Sequence, residues 1–295
     1  LTALPLRLQK AVEQLQPQGS FSIYDSRLEL TRDADKLAAI RSNWRVNLAC
    51  HQAELKCGVP LSGVSGTLQL AGNNSGPVGY TAGELHLDSV IWNNLQFTNV
   101  RGPLWVEQTP TGSICLLGRE AARKQRQPPR DLMANVYGGA LVANIHTWHE
   151  GHPQFQLSAS LAGAELSRIA RERLGTATGA TGTVGGRLRL AGTGSSKDAV
   201  TGSGELHIVD ANIYKLPRLV ALLKALQNRM PDTTAFNQVD AQFDIQGRHV
   251  HLEQLNLLGD VVSLYGRGDS TLQGDNLNLV FHALVGRTRV PVLSA

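Results

Sequence analysis

The chain has 295 residues, of which 28 are lysine or arginine and 24 are aspartate or glutamate, so its net charge is only +4. This mild charge does not point to nucleic acid, and no stretch approaches the roughly 18 apolar residues of a membrane-spanning helix. With 30 glycines and 5% aromatic residues, the composition is typical of a long β-structure built from many short alternating runs.

The chain begins with a predicted helix at residues 4–15. Apolar residues recur there at helical spacing, and Gly19 follows the expected end. The first residue is not Met, and no charged segment followed by an apolar core opens the chain. We therefore expect a piece of a longer parent, in which residues 1–18 form a helix and a lead-in.

Short alternating runs then predict antiparallel strands with one apolar and one polar face, because every second side chain of a strand points to the same side. We expect an elongated, twisted, mostly antiparallel sheet. Three short helices are too few to cover it, so it must curl on itself, pack as a closed sandwich, or leave a groove that holds something apolar. If the sheet leaves a groove, the residues that line it are Leu68, Leu70, Leu85, Leu87, Leu188, Leu190, Leu206, Ile208, Phe243, Ile245, Leu277 and Leu279.

One strand pair of the predicted sheet occurs twice. The segment 66–72 (GTLQLAG) recurs as 186–192 (GRLRLAG), and 83–87 (GELHL) recurs as 204–208 (GELHI), in the same order. Recurrence of a supersecondary unit indicates an extended, repetitive architecture. We therefore predict a first β-repeat unit at 19–130 and a second at 131–295.

A basic run lies near the end of the first predicted unit. We interpret it as a solvated linker, and a contact for anionic lipid headgroups stays open as the alternative. The run comprises Arg119, Arg123, Lys124, Arg126 and Arg130, next to Pro128 and Pro129.

Two further helices are predicted in the second unit, near 164–174 and near 216–228. Gly175 supplies the stop of the first, and Pro217 fits the first turn of the second. The apolar stripe of the second helix is too wide for a free surface helix, so we expect it to pack on the apolar sheet face.

Histidines give the only hint of a metal site. Residues 146–152 contain three imidazoles and one carboxylate, but on an extended strand His146 and His149 point to opposite faces, and 150–151 is typical of a hairpin tip. His249 and His251 share a face, and we expect no carboxylate to orient them. The prediction is a set of exposed residues without metal.

Cysteines and nucleophile motifs add little. Cys50 and Cys57 form a disulfide if the compartment is oxidising and are free thiols otherwise, whereas Cys115 is a small core residue. No Gly-x-Ser-x-Gly elbow occurs, so we predict neither an enzyme nor a bound cofactor. Core or rim positions, and not a sugar-binding strip, are expected for Trp92, Trp105 and Trp148.

An ordered set of segments resembles a known family. The segments are LAGAELSRIARE at 161–172, TVGGRLRLAGTG at 183–194, VTGSGELHIVDANIYKLP at 200–217, TAFNQVDAQFDI at 234–245 and LNLLGDVVSLYGRG at 255–268. Together they resemble the AsmA-like C-terminal region of the AsmA, TamB and YhdP proteins of diderm bacterial envelopes. The resemblance covers about 130–290, and 17–118 look like a preceding repeat of the same strand type.

The resemblance implies a periplasmic protein whose full-length parent is anchored in the inner membrane. Its apolar β-groove would hold or conduct phospholipid acyl chains between the inner and outer membranes. Phospholipid is then the expected partner, with membranes contacted through other parts of the parent, and with envelope proteins as further partners. The alternative is a structural interaction module that assists outer-membrane protein assembly by offering sheet edges to partner strands.

Overall fold

The computed structural model describes residues 16–32, 40–56, 59–75, 78–174, 180–194, 196–212, 236–259, 262–272, 276–285 and 288–290. These residues form mainly antiparallel β-structure, which confirms the fold class predicted from the alternation; they contain 16 strands, two helices and one 3-10 turn. The chain divides into two compact units, each described by itself.

The first unit contains the described residues up to Val136 together with Val142–Gly151. Its strands pair antiparallel in the order β1-β2-β3-β4-β5-β6-β8, and β7 pairs with β5. Helix α1 (Arg119–Lys124) lies between β6 and β7 in the chain. The strands are β1 (Gln18–Arg32), β2 (Ile40–Lys56), β3 (Pro60–Ser75), β4 (Val78–Trp92), β5 (Leu95–Gln108), β6 (Ser113–Leu117), β7 (Leu132–Val136) and β8 (Gly139–Glu150).

The second unit contains Tyr137–Leu141 and the described residues from His152 onward. Helix α2 (Leu166–Leu174) follows β9, and a 3-10 turn (Lys197–Ala199) precedes β11. Neighbouring strands pair antiparallel in chain order. They are β9 (His152–Glu165), β10 (Thr181–Thr193), β11 (Val200–Asn212), β12 (Phe236–Gln246), β13 (His249–Gly259), β14 (Val262–Thr271), β15 (Asn278–Val285) and β16 (Thr288–Val290).

The division between the units falls later in the chain than the 130/131 boundary expected from the sequence. The reason is strand pairing: β7 pairs with β5, and residues 145–149 of β8 pair with β6. These two strands therefore complete the sheet of the first unit, although they follow the proline-containing segment that looks like a linker.

Helix α2 confirms the helix predicted near 164–174. The predicted helices at 4–15 and 216–228 lie outside the described residues.

Helix α1 contradicts the interpretation of the basic run as a linker, because Ala121 and Ala122 are both fully buried. Two alanines side by side allow this short helix to lie close against the sheet.

The core of the second unit lies between α2 and one face of the sheet. Leu166 and Ala170 of α2 belong to a packed cluster with Val184, Phe236 and Leu257, all 6% exposed or less. Fully burying a side chain of this kind stabilises a fold by about 1.5–3 kcal/mol. The contacts of α2 therefore anchor this end of the sheet.

Large apolar side chains in the second unit lie over glycines of the neighbouring strand. Gly204 faces Phe243 across the β11–β12 pair, and Gly266 faces Phe281 across the β14–β15 pair. A Cβ atom at Gly204 would lie 2.5 Å from Cζ of Phe243, which is closer than two carbon atoms can approach. Glycine is thus required at this position because the aromatic ring lies flat over the strand.

We predict that Gly204→Ala destabilises the second unit by about 1–3 kcal/mol, because the added methyl group displaces the Phe243 ring. Chemical denaturation followed by circular dichroism measures the change. Gly185→Ala on the neighbouring strand is the matched control, since its added Cβ meets only the carbonyl oxygen of Leu161, at 3.3 Å. Adding Phe243→Leu should recover part of the stability, and equal losses at Gly204 and Gly185 would contradict the packing argument.

Candidate functional site

The second unit has an apolar face that continues across seven strands, β9 to β15. Residues directly opposite each other on paired strands share a face, so the strand registers define rows that cross the sheet. The central row runs through Ala159, Leu188, Gly204, Phe243, Leu252, Gly268 and Leu279. Below, "the second apolar face" means this row and its two neighbours, which contain Leu157, Leu190, Gly202, Ile245 and Val250 on one side and Leu161, Gly186, Leu206, Ala241, Leu255, Gly266 and Phe281 on the other.

The opposite face of the same strands is polar. The row next to the central one carries only polar or charged side chains, so the sheet separates apolar from polar groups completely at this place. This polar row runs through Ser158, Arg189, Ser203, Asp244, His251, Asp269 and Asn278.

Burial varies along the second apolar face and its continuation toward α2. Val184 and Leu257, which pack in the cluster that contains α2, are 4% and 3% exposed. Within the three rows, Ile245 and Leu279 are 8% and 7% exposed, whereas Leu188, Leu190 and Phe243 are half-buried. Apolar surface of the described residues is therefore accessible at the half-buried positions.

The first unit has an apolar face of the same kind. One row runs through Leu48, Leu68, Leu85 and Gly102, where Leu68 and Leu85 are direct cross-strand partners. Leu85 and Leu87 are buried, whereas Leu68 and Leu70 are half-buried. A neighbouring row extends the face through Val46, Leu70, Gly83, Leu104, Leu117 and Ile145. Together these rows are called the first apolar face.

The structure places the predicted lining residues on these two faces, with one exception. Leu68, Leu70 and Leu85 lie on the first apolar face and Leu87 lies on the next row of the same side, opposite Gly66 and Val100. The predicted residues of β10, β11, β12 and β15 lie on the second apolar face or on its continuation toward α2. Leu277 precedes β15 and is 54% exposed, so it lies outside the rows.

Sequence reasoning missed the glycines of these faces. Gly83, Gly202 and Gly204 lie in the rows, and a Cβ atom at each would collide with a leucine or phenylalanine of the next strand. The pattern Gly-x-Gly within an alternating run, as at 202–204 and 266–268, is the signal that could have identified Gly202 and Gly204. These glycines let the large side chains lie low on the sheet.

Helix α1 contacts the face of the first unit opposite the first apolar face. Lys124 Nζ lies 2.9 Å from Glu107 Oε2, and the Gln125 amide donates to the backbone oxygens of Gly83 and Leu104. The hydrogen bond from Lys124 holds the pKa of the Glu107 carboxyl below its usual range. The helix is therefore fixed to strands β4 and β5.

The basic run forms ion pairs within the first unit. Arg119 pairs with Asp131 at 2.9 Å, and this partner lowers the pKa of the Asp131 carboxyl. Arg130 donates two hydrogen bonds of 2.9 Å to the carboxylate of Glu84. These partners neutralise charge that a contact for anionic headgroups would need, so the structure does not favour that alternative.

His146 and His149 lie on opposite faces of β8, as predicted. The register pairs His146 with Leu116 and His149 with Ser113. The half-buried His146 ring lies 4.6 Å from the ring of Trp148, and burial lowers the pKa of His146. Within the described residues, no three His, Cys, Asp or Glu side chains are grouped so that they could hold a metal ion.

The expectation that no carboxylate orients His251 is wrong. Its Nδ1 atom lies 2.8 Å from Oδ1 of Asp269 on the next strand, and this hydrogen bond raises the pKa of His251. A similar pair joins His207 and Asp240 at 2.7 Å. Both pairs lie across neighbouring strands on the polar face, where the sequence alone does not give the register.

The remaining candidate residues are cysteines and tryptophans. Cys50 is a buried free thiol whose pKa is raised by burial, and Cys57 lies outside the described residues. The ring of Trp105 stacks on Tyr80 with centroids 4.7 Å apart, and Trp92 is 43% exposed.

None of the helices that the structure describes is long and apolar enough to cross a membrane.

Comparison with known proteins gives no neighbour: no family model, curated protein or solved structure matches this chain. The AsmA-like resemblance therefore stays a prediction based on the quoted segments.

We predict that lowering the pH destabilises the first unit partly through His146. Its folded pKa is depressed, so the unfolded chain takes up the proton first and stability falls as the pH drops below the ordinary histidine value of about 6.5. Thermal unfolding of wild type and His146→Gln between pH 5 and 8 measures this. The variant should lose less stability than wild type at low pH, whereas His149→Gln, which removes an imidazole from the opposite face, should follow wild type. Parallel curves for all three proteins would contradict the prediction.

Proposed function

We propose that this chain holds or conducts phospholipid acyl chains along its apolar sheet faces. The observation that carries the proposal is the central row of the second apolar face, in which Leu188, Phe243 and Leu252 are half-buried while the adjacent row on the opposite face carries only polar side chains. An acyl chain lying on such a row removes apolar surface from water, which is favourable by about 25 cal/mol per Å². No specific polar contact is required.

The shape of the second apolar face also suits an acyl chain that moves along it. Rings that pack over glycines, such as Phe243 over Gly204, occupy space that a side chain of the neighbouring strand would otherwise fill. Neighbouring rows repeat similar leucine and phenylalanine positions, so they offer many shallow sites of comparable affinity. A conduit needs such a surface, because one deep site would retain its ligand.

The resemblance to the AsmA-like region supports the same proposal and adds a cellular setting. On that resemblance we propose that the chain lies in the periplasm, in a parent anchored to the inner membrane, and that the process is phospholipid transport between the two membranes. The proposed mechanism is non-enzymatic and uses no metal or cofactor. The alternative, a module for outer-membrane protein assembly, predicts binding of protein strands instead of lipid.

Site-specific photo-crosslinking tests the proposal. A benzophenone amino acid at Leu188, on the second apolar face, should form adducts with phospholipid in cells, whereas one at exposed Arg189, on the polar face, should form few. The two positions are adjacent in the chain and differ in the face they occupy. Equal lipid adducts at both, or none at Leu188, would rule out the lipid proposal and leave the assembly module.

Charge placement gives a second test. Leu188→Asp puts an ion where hydrocarbon would lie, and should abolish lipid retention, since burying an unpaired charge is costly. Arg189→Asp should retain lipid as wild type does. Leu188→Gln, which adds polarity without charge, should show an intermediate loss, and circular dichroism of each variant separates loss of binding from loss of fold. Full retention by folded Leu188→Asp would contradict the proposal.

A further inference from the structure

Strand β1 carries the most exposed large apolar side chains of the described residues. Ile23, Leu28 and Leu30 are 68%, 63% and 64% exposed, and the next value is 55%, at Met133. Among the described strands, β1 pairs with β2 alone and so ends the sheet of the first unit. An exposed apolar edge strand of this length normally marks a place where a further strand pairs with the sheet.

The exposed side chains continue the first apolar face. Ile23 is the direct partner of Leu48, and Leu28 is the direct partner of Trp44. Leu48 and Trp44 are half-buried because β2 has neighbours on both sides, whereas β1 has only one. One added antiparallel strand with apolar residues on the same face would cover Leu28 and Leu30.

The polar side of β1 indicates which strand fits. Arg27 and Glu29 alternate with Leu28 and Leu30, and their charged groups lie 2.5 Å apart with side chains 79% and 50% exposed. A bulge with Asp25 at a φ of 46° interrupts the strand before Arg27. The regular segment that follows carries Arg27 and Glu29 symmetrically about Leu28, and it ends at a second cation, Arg32.

We propose that β1 pairs antiparallel with β1 of a second copy of this chain, about a two-fold axis through Leu28. Arg27 then faces the second copy's Glu29, Glu29 faces its Arg27, and the two Leu28 side chains meet on the apolar face. This isologous pairing uses one segment twice, and the Arg27–Glu29 ion pair that each copy already contains gains the opposite charges of the second copy. The sequence around Leu28 is thus complementary to itself, which is the reason to prefer a second copy over an unrelated strand. The proposal stands independently of the proposed function.

Cysteine crosslinking tests the register. Leu28→Cys in the full chain should give a disulfide-linked dimer under mild oxidation, because the two Leu28 positions are direct cross-strand partners. Thr31→Cys, an exposed position on the same strand, should not, since its two copies would be six residues apart in register. Absence of a Leu28→Cys dimer, or equal crosslinking at Thr31, would overturn the proposal.

Charge exchange tests the specificity. Glu29→Arg places two arginines opposite each other at both ends of the pairing and should raise the dimer dissociation constant about tenfold. The double variant Arg27→Glu/Glu29→Arg restores opposite charges and should return the constant to near that of wild type. Sedimentation equilibrium measures all three, with circular dichroism to show that each is folded. A monomeric wild type, or a double variant that dimerises no better than Glu29→Arg, would overturn the proposal.

Discussion

The packing of large apolar side chains over cross-strand glycines is the interaction on which the second apolar face depends. At Gly204 and Gly266 the ring of the opposite residue occupies the space that a Cβ atom would take. The sheet can therefore carry phenylalanine without raising tall groups above its surface. A residue with a side chain at these glycines would push the rings away from the sheet and break the continuity of the rows.

The two faces of each sheet are stabilised in different ways. Among the described helices, α2 packs at one end of the second apolar face, and Leu188, Phe243 and Leu252 of the central row are half-buried. On the polar side, His251 and Asp269 form a cross-strand pair, and Lys124 joins α1 to Glu107 of β5. Because such exposed pairs are each worth little, backbone pairing and the apolar rows carry most of the stability.

The alternation of the sequence was sufficient to predict the antiparallel β-structure and the face on which Leu68, Leu188 and Phe243 lie, since period two fixes side-chain direction. It could not give the strand registers, which decide that Asp269 meets His251 and that Gly204 meets Phe243. Helix α1 was missed because a helix of six residues, of which three are basic and only two are apolar, has too little apolar periodicity to detect. The exposure of Leu28 depends on β1 lying at the end of a sheet, and strand order is not encoded in the alternation.

The central claim, that the half-buried apolar rows hold acyl chains, is tested most directly by mass spectrometry of lipids extracted from the purified chain. The protein is isolated from membranes without added lipid and compared with an equally folded Leu188→Asp variant. The account predicts phospholipid in near-stoichiometric amounts with wild type, in a mixture of acyl lengths and headgroups, and little with the variant. A wild-type protein that is folded and free of phospholipid would contradict it.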